Sequence, residues 1–181
     1  MSKNRSKKSY VNTLATVAMS TSIVVASAWL SVPFVVNFTL QLLAIFIISD
    51  VFDIKKSISS VALYIFLGIC GLPVFSGFGA GIASIIGPTG GFIAGFLFVP
   101  LVLHVFKKVF KTSFFTSVMS MLTGLVLCYI CGTAWYAFIY SEEATSGLLN
   151  ALSVCVLPFI PFDVIKIFVA ALISSRLKRV L

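Results

Sequence analysis

The sequence predicts an all-α fold: a polytopic membrane protein, built as a six-transmembrane-helix bundle with a glycine-rich outer loop or lid, in one domain covering residues 1–181. Three observations carry this expectation. Hydrophobic residues fill 60% of the 181 positions and charged residues only 10%, with a mean hydropathy of +1.14. A soluble domain carries about 25% charged residues. Charge-free stretches of transmembrane length recur along the chain, and the cations gather in short clusters between them.

The expected spans, in order, are residues 9–30, 38–49, 57–74, 88–106, 114–140 and 148–173. The second is short, and Pro33 before it marks irregular backbone. Twelve of the thirteen cations then fall on one side of the membrane. Lys3, Arg5, Lys7 and Lys8 precede the first span, and Lys55 and Lys56 follow the second. Lys107, Lys108 and Lys111 follow the fourth, and Arg176, Lys178 and Arg179 follow the sixth. The opposite loops carry no charge at residues 31–37 and 75–87, and only Glu142 and Glu143 at 141–147. This is the positive-inside pattern: a multi-pass protein of the cell (inner) membrane with both termini cytoplasmic. The net charge of +8 is therefore a topology signal directed at the lipid bilayer and its headgroups, with no nucleic-acid partner implied. Trp29 and Tyr140 sit at the outer ends of the first and fifth spans, where amphipathic rings favour the interface.

On the first helix, Ala18, Ser22 and Ala26 recur every four positions and share one face. Small residues at that spacing allow close helix approach in lipid, either to a partner membrane protein or to the chain's own helices. Between the third and fourth spans, "GLPVFSGFGAGIASIIGPTGG" (71–91) holds seven glycines in 21 positions. Each glycine costs about 1 kcal/mol in a helix interior, so no ordinary helix is expected there. An apolar, irregular segment at a membrane face is tolerated where it folds onto protein or lines a cavity, as a lid would. No lysine follows these glycines as in a nucleotide-binding P-loop, and no other Walker-type signature occurs.

The sixth span carries Asp163 and Lys166 inside an apolar run. Each costs about 2.5–3.5 kcal/mol at a helix centre, while each surrounding Leu, Ile, Val or Phe returns about 0.3–0.6. The two share one helix face, about 4.5 Å apart in height. They are either a self-neutralising staple or, as adopted here, a polar site facing a cavity. Pro158 and Pro161 interrupt the helix just before them. A restart at Pro161 places both residues in or just past a first turn, where backbone N–H groups and the helix dipole favour an anion. Broken helices beside a binding site recur in transporters. Lys166 suits a ligand carboxylate and Asp163 suits ligand N–H groups, so the chemistry points to a small acid bearing N–H donors.

Three segments resemble the BioY family, the biotin-binding S component of energy-coupling factor transporters. They are "NFTLQLLAIFI" (37–47), "LYIFLGICGLPVFSGFGAGIASIIGPTGGFIAGF" (63–96) and "PFDVIKIF" (161–168). The resemblance implies six helices around a pocket open to the outside, with the glycine-rich segment covering the ligand. It implies a ureido-ring contact from Asp163, a carboxylate-pairing Lys166 and a contribution from Gln41. Thr39, Phe78, Gly79 and Thr89, in the same motifs, join the implied ligand-binding set. Some members carry Asn at the place of Gly79, so a contact made there by a side chain must come here from backbone or other polar groups. The resemblance further implies a transmembrane coupling protein and two ATP-binding subunits as partners, with Ala18, Ser22 and Ala26 as their docking face.

Other candidates are set aside. Cys70, Cys128, Cys131 and Cys155 lie in apolar runs and read as packing, since the C-x-x-C at 128–131 has neither a second pair nor a nearby His for a metal. His104 reads as an interfacial polar tip. Asp50 and Asp53, beside Lys55 and Lys56, read as a solvated turn. No serine has a paired base, so catalytic residues, cofactor and metal are all expected to be none. The leading function is capture of biotin from outside for energised uptake. The alternatives are an S component for another vitamin, or a non-transporting membrane scaffold.

Residues 7–28 also resemble a cleavable signal sequence ending in "ASA" (26–28). The adopted reading keeps this segment as the first span. The intact mass of the purified protein is therefore expected to include residues up to Ala28, and a mass lacking them would leave five spans.

Overall fold

The computed structural model describes residues 2–33, 37–110, 113–140, 151–153 and 155–180, with residues 2–9 and 140 described by their backbone alone. Glu142 and Glu143, Lys111, the start of the expected sixth span at 148–150, and the side chains of Lys3, Arg5, Lys7, Lys8 and Tyr140 lie outside the described residues.

The chain is mostly helical. The elements are α1 (Ser2–Trp29), β1 (Ser31–Val32), β2 (Phe38–Thr39), α2 (Gln41–Val51), α3 (Ile54–Ile69), a 3₁₀ turn (Ser76–Phe78), α4 (Gly81–Ile86), α5 (Gly90–Gly95), α6 (Phe98–Val109), α7 (Phe114–Tyr140) and α8 (Ile160–Leu177). Three stretches, Tyr10–Trp29, Gly90–Val109 and Phe114–Ile139, are long and apolar enough to cross a membrane. Phe66, Val105, Phe115, Ile130, Phe138 and Ile165 are among many large apolar side chains left exposed. In water that surface would cost about 25 cal/mol per Å², so the helices require an apolar surrounding: this is a membrane protein.

Local chemistry sets the element ends. The expected third span stops early, at Ile69. Gly71 (φ +95°) follows the helix, and the backbone N–H groups of Gly71 and Leu72 donate to the carbonyls of Gly68 and Leu67 (both 3.1 Å). This is a Schellman stop, followed by Pro73. The expected fourth span divides into α5 and α6 because Pro100 has no N–H to give the Phe96 carbonyl. The glycine-rich segment is not wholly irregular, as the sequence had suggested. It holds two short pieces, the 3₁₀ turn with Gly77 at its centre and α4, which Gly81 opens and Gly87 follows, while residues 82–86 within α4 are glycine-free. The expected restart near Pro161 occurs one residue earlier, with Pro161 in the first turn of α8.

In the bundle, α1 packs on α2 and α3, α2 on α6 and α8, and α7 on α5, α6 and α8. At the α5–α7 crossing, a Cβ on Gly91 would stand 2.3 Å from the Trp135 Cβ, so only glycine lets these helices meet so closely. Tyr64, Phe46, Ile45, Leu103, Met121 and Ile167 fill the core.

Asp50 overturns its assignment to a solvated turn. It is 2% exposed at the end of α2. Its carboxylate receives Lys107 of α6 (3.1 Å), Lys178 just after α8 (2.6 Å) and the Ser117 hydroxyl of α7 (3.1 Å). Lys107 also donates to the backbone carbonyls of Ser49 (3.1 Å) and Asp50. The reason is helical register: Asp50 lies on the face of α2 that packs on α6 and α8, whereas Asp53 lies beyond the helix end. Asp53 stays largely exposed beside Lys56 (3.4 Å). Removing the buried carboxylate by Asp50→Ala leaves Lys107 and Lys178 without the charge that pairs them. The expected loss is about 3–5 kcal/mol, to be read as a lowered unfolding temperature of the purified protein in detergent.

Candidate functional site

The cavity that holds most of the singled-out residues lies at the end of the bundle opposite Asp50. Gln41 opens α2, and Asp50 stands nine residues on, about 13 Å along the axis. Gln41, Thr39, Thr89, Asp163 and Lys166 all border a cavity of about 70 Å³. Phe75, Phe92, Phe96 and Phe159 form much of its apolar wall.

Asp163 and Lys166 are 5% and 7% exposed, so neither charge is left to water. They are paired: Lys166 Nζ lies 2.7 Å from Asp163 Oδ1. The sequence reading had left both open for a ligand; the structure closes them on each other while keeping both at the cavity wall. Lys166 also donates to the Thr39 carbonyl (2.7 Å) and stands 3.8 Å over the Phe38 ring. The Tyr129 hydroxyl of α7 donates to Asp163 Oδ2 (2.6 Å). Thr39 donates through its hydroxyl to Gln41 Oε1 (3.1 Å), and Gln41 Nε2 donates to the Tyr64 hydroxyl. One polar network thus runs from α3 through α2, β2 and α8 to α7, and it neutralises its own charges.

The network keeps capacity for more. An ammonium has three donors and Lys166 directs two of them to Asp163 and Thr39. A carboxylate accepts about four hydrogen bonds and Asp163 accepts two. The helix start offers less than expected. Ile160 N–H donates to the Val156 carbonyl (3.2 Å), Asp163 N–H to that of Phe159 (2.9 Å), and Pro161 has none. Polar recognition at this site therefore rests on the two charged side chains more than on free backbone donors.

Two of the expected residues stand away from the cavity. Phe78 (φ +60°) is 63% exposed and packs on Trp29, with ring centroids 5.4 Å apart. Gly79 closes the turn, its carbonyl accepting from Phe75 N–H (3.1 Å). The turn directs Phe78 outward and presents Phe75 and Ser76 to the cavity instead. Beneath Phe75, Gly68 leaves room for the ring: a Cβ there would be 2.1 Å from it. Trp29 does not simply float at an interface, since its indole N–H donates to the Pro73 carbonyl (2.8 Å) and fastens the segment to α1. Ala18, Ser22 and Ala26 are exposed along α1, remote from the cavity.

Sequence reasoning missed Tyr129, Tyr64, Asn37 and Ser76. The tyrosines look like any aromatic in an apolar helix. Asn37 and Ser76 meet only across the fold, Asn37 Nδ2 donating to the Ser76 hydroxyl (3.3 Å) at the cavity edge. They are the polar side chains on hand where Gly79 has none. Of the cysteines, Cys128 and Cys155 border the cavity, Cys131 is half-buried and Cys70 is exposed. Among the described residues no cluster of His, Cys, Asp and Glu could hold a metal.

Comparison with known proteins follows the same lines. The profile of the BioY family matches residues 1–181. The chain belongs to the BioY family. It is 38% identical over 160 residues to the "Biotin transporter BioY" of Thermotoga maritima, an alignment covering 88% of this chain and 91% of that one. The "Probable biotin transporter BioY" of Pyrococcus horikoshii is 35% identical over 143 residues, covering 79% and 81%. A crystal structure of the S-component for biotin from an ECF-type ABC transporter superposes with a TM-score of 0.83 at 27% identity, covering 95% of this chain and 93% of that one. BioY relatives are transport proteins, so the expectation that this chain is not an enzyme holds.

In this BioY chain the Tyr129 hydroxyl is an anchor of Asp163. Tyr129→Phe deletes one hydrogen bond to a charged group and keeps the ring. The expected loss is about 1.5–3 kcal/mol, measured as the fall in unfolding temperature relative to wild type.

Proposed function

We propose that this chain is the substrate-binding membrane subunit of an energy-coupling factor transporter, capturing biotin from outside the cell for energised uptake. The observation that carries the reading is a buried ammonium and a buried carboxylate on one wall of a mainly apolar cavity, in a chain whose relatives are biotin transporters. Biotin offers a carboxylate at one end and ureido N–H groups at the other. Lys166 pairs with the carboxylate, and Asp163 accepts from the ureido group. Ligand entry exchanges the Lys166–Asp163 contact for an ion pair of Lys166 with the ligand carboxylate and hydrogen bonds from the ureido N–H groups to Asp163, so neither buried charge is left without a partner. Gln41, Thr39 and Thr89 supply neighbouring polar contacts, and Phe75 and the tryptophan-fastened glycine-rich segment cover the site as a lid.

The chain spans the membrane six times as a single domain, through α1, α2, α3, α5 with α6, α7, and the segment ending in α8. Contacts of Asp50 with Lys107 and Lys178 bring the ends of α2, α6 and α8 together at the lysine-rich side. By the positive-inside rule that side, with both termini, is cytoplasmic, and the cavity faces outward. Residues Ala18, Ser22 and Ala26 leave a shallow strip on α1 for a transmembrane coupling protein, which in turn works with ATP-binding subunits.

The closed Asp163–Lys166 pair is also what a scaffold protein would carry. A cavity bordered by both groups supports binding instead. Asp163→Asn and Lys166→Ala are each expected to weaken biotin binding to the purified protein by about thirtyfold or more, as read by titration calorimetry. Wild-type affinity in both variants overturns the site assignment. Biotin should also raise the unfolding temperature; stabilisation by a different vitamin alone assigns the chain to that vitamin, and stabilisation by none favours the scaffold.

A further inference from the structure

At the cytoplasmic end, away from the biotin cavity, a groove of about 760 Å³ lies between α1, the α2–α3 turn and the end of α8. Its character is split. Lys56 and Lys178 stand at it together with Asp53 and Asn12, while Met19 and Phe52 supply apolar wall. Met19 is 67% exposed on α1, so this wall opens toward lipid.

The charges around the groove do not balance. Lys107 and Lys178 share the single carboxylate of Asp50, and Lys56 has Asp53 at 3.4 Å. Among the described residues three lysines therefore meet two carboxylates, which leaves one positive charge uncompensated. Asp50 is buried and holds its two lysines close, whereas the Asp53 side chain is 69% exposed and the Lys56 side chain 29% exposed. The loose pair, Lys56 and Asp53, is thus the part of the cluster able to accept a new partner. An exposed pair of this kind contributes little by itself, so a better-placed anion displaces it cheaply.

We infer that this groove binds one anionic phospholipid of the cytoplasmic leaflet. The headgroup phosphodiester lies against Lys56 and Lys178, and an acyl chain runs along Met19 and Phe52. A phosphodiester carries a single negative charge, which matches the uncompensated positive charge. Basic side chains between helices on the cytoplasmic side, above an apolar wall, suit a lipid of this kind. A free phosphate would satisfy only the charged half of the groove. The groove shares no residue with the biotin cavity, so the inference does not rest on the proposed ligand.

The test uses the full chain purified in a neutral detergent. Mixed micelles containing phosphatidylglycerol, mixed micelles containing phosphatidylcholine, and inorganic phosphate are added in parallel. Retained lipid is counted by native mass spectrometry, and unfolding temperature is followed. Phosphatidylglycerol is expected to be retained and to raise the unfolding temperature, with no such effect from phosphatidylcholine or inorganic phosphate. Lys56→Gln should retain phosphatidylglycerol about fivefold less well, Lys56→Arg should restore it, and biotin binding should be the same in all three proteins. Equal retention of the two lipids, an equal effect of inorganic phosphate, or unchanged retention in Lys56→Gln overturns the inference. So does a Lys56→Gln protein that keeps its lipid but loses co-isolation with coupling subunits, which would give the groove to a protein partner.

Discussion

Buried charge is the constraint around which this molecule is arranged. An ammonium or carboxylate taken out of water costs several kcal/mol unless a partner lies within hydrogen-bonding reach, and lipid offers none. Among the described residues two carboxylates are buried, and each is answered at once. Asp163 has Lys166 and Tyr129 at 2.7 and 2.6 Å. Asp50 has Lys178 and Lys107 at 2.6 and 3.1 Å. The two clusters sit at opposite ends of the bundle, and both draw on α2, α7 and α8 or the residues that adjoin them. One end is thereby tied together by ion pairs between helices. The other is tied by a pair within one helix, whose spare hydrogen-bonding capacity faces a cavity.

That contrast suits a binding protein. The Asp50 cluster joins separate helices, so opening it means parting the bundle. The Asp163–Lys166 pair lies on a single helix, so opening it requires only side-chain rotation. Chain breaks place the pair where this is feasible. The turn at 156–159 and Pro161 start α8 at the level of the cavity, and the Schellman stop at Gly71 leads into the segment that brings Phe75 and Ser76 to its wall. Gly68 and Gly91 let Phe75 and the α5–α7 crossing close in, which is how a small apolar chamber forms from large aromatic side chains.

Much of this was legible in the residues. Hydropathy gave a mostly helical membrane chain, because transfer into lipid is a sum over side chains. The break before Asp163 followed from the prolines, a local backbone effect, whereas the expected third span runs on to residue 74 and the helix stops at Ile69. Asp163 and Lys166 stood out as charges with no reason to be in an apolar run. Asp50 did not, because sequence neighbours Asp53, Lys55 and Lys56 suggested partners that helical register then denied it. Phe78 and Gly79 stand away from the cavity for a related reason: a motif gives the order of residues in a turn but not the direction in which the turn points.

The sequence by itself determined what can be summed or read within a few residues: a helical membrane chain, the break before Asp163, and a charged pair awaiting explanation. Tertiary structure alone decided which groups answer which charges. Tyr129 reaches Asp163 across 34 positions, Lys107 reaches Asp50 across 57 and Lys178 across 128. Such contacts depend on the rotation of each helix about its axis, a quantity set by packing among all the helices and carried by no one of them alone.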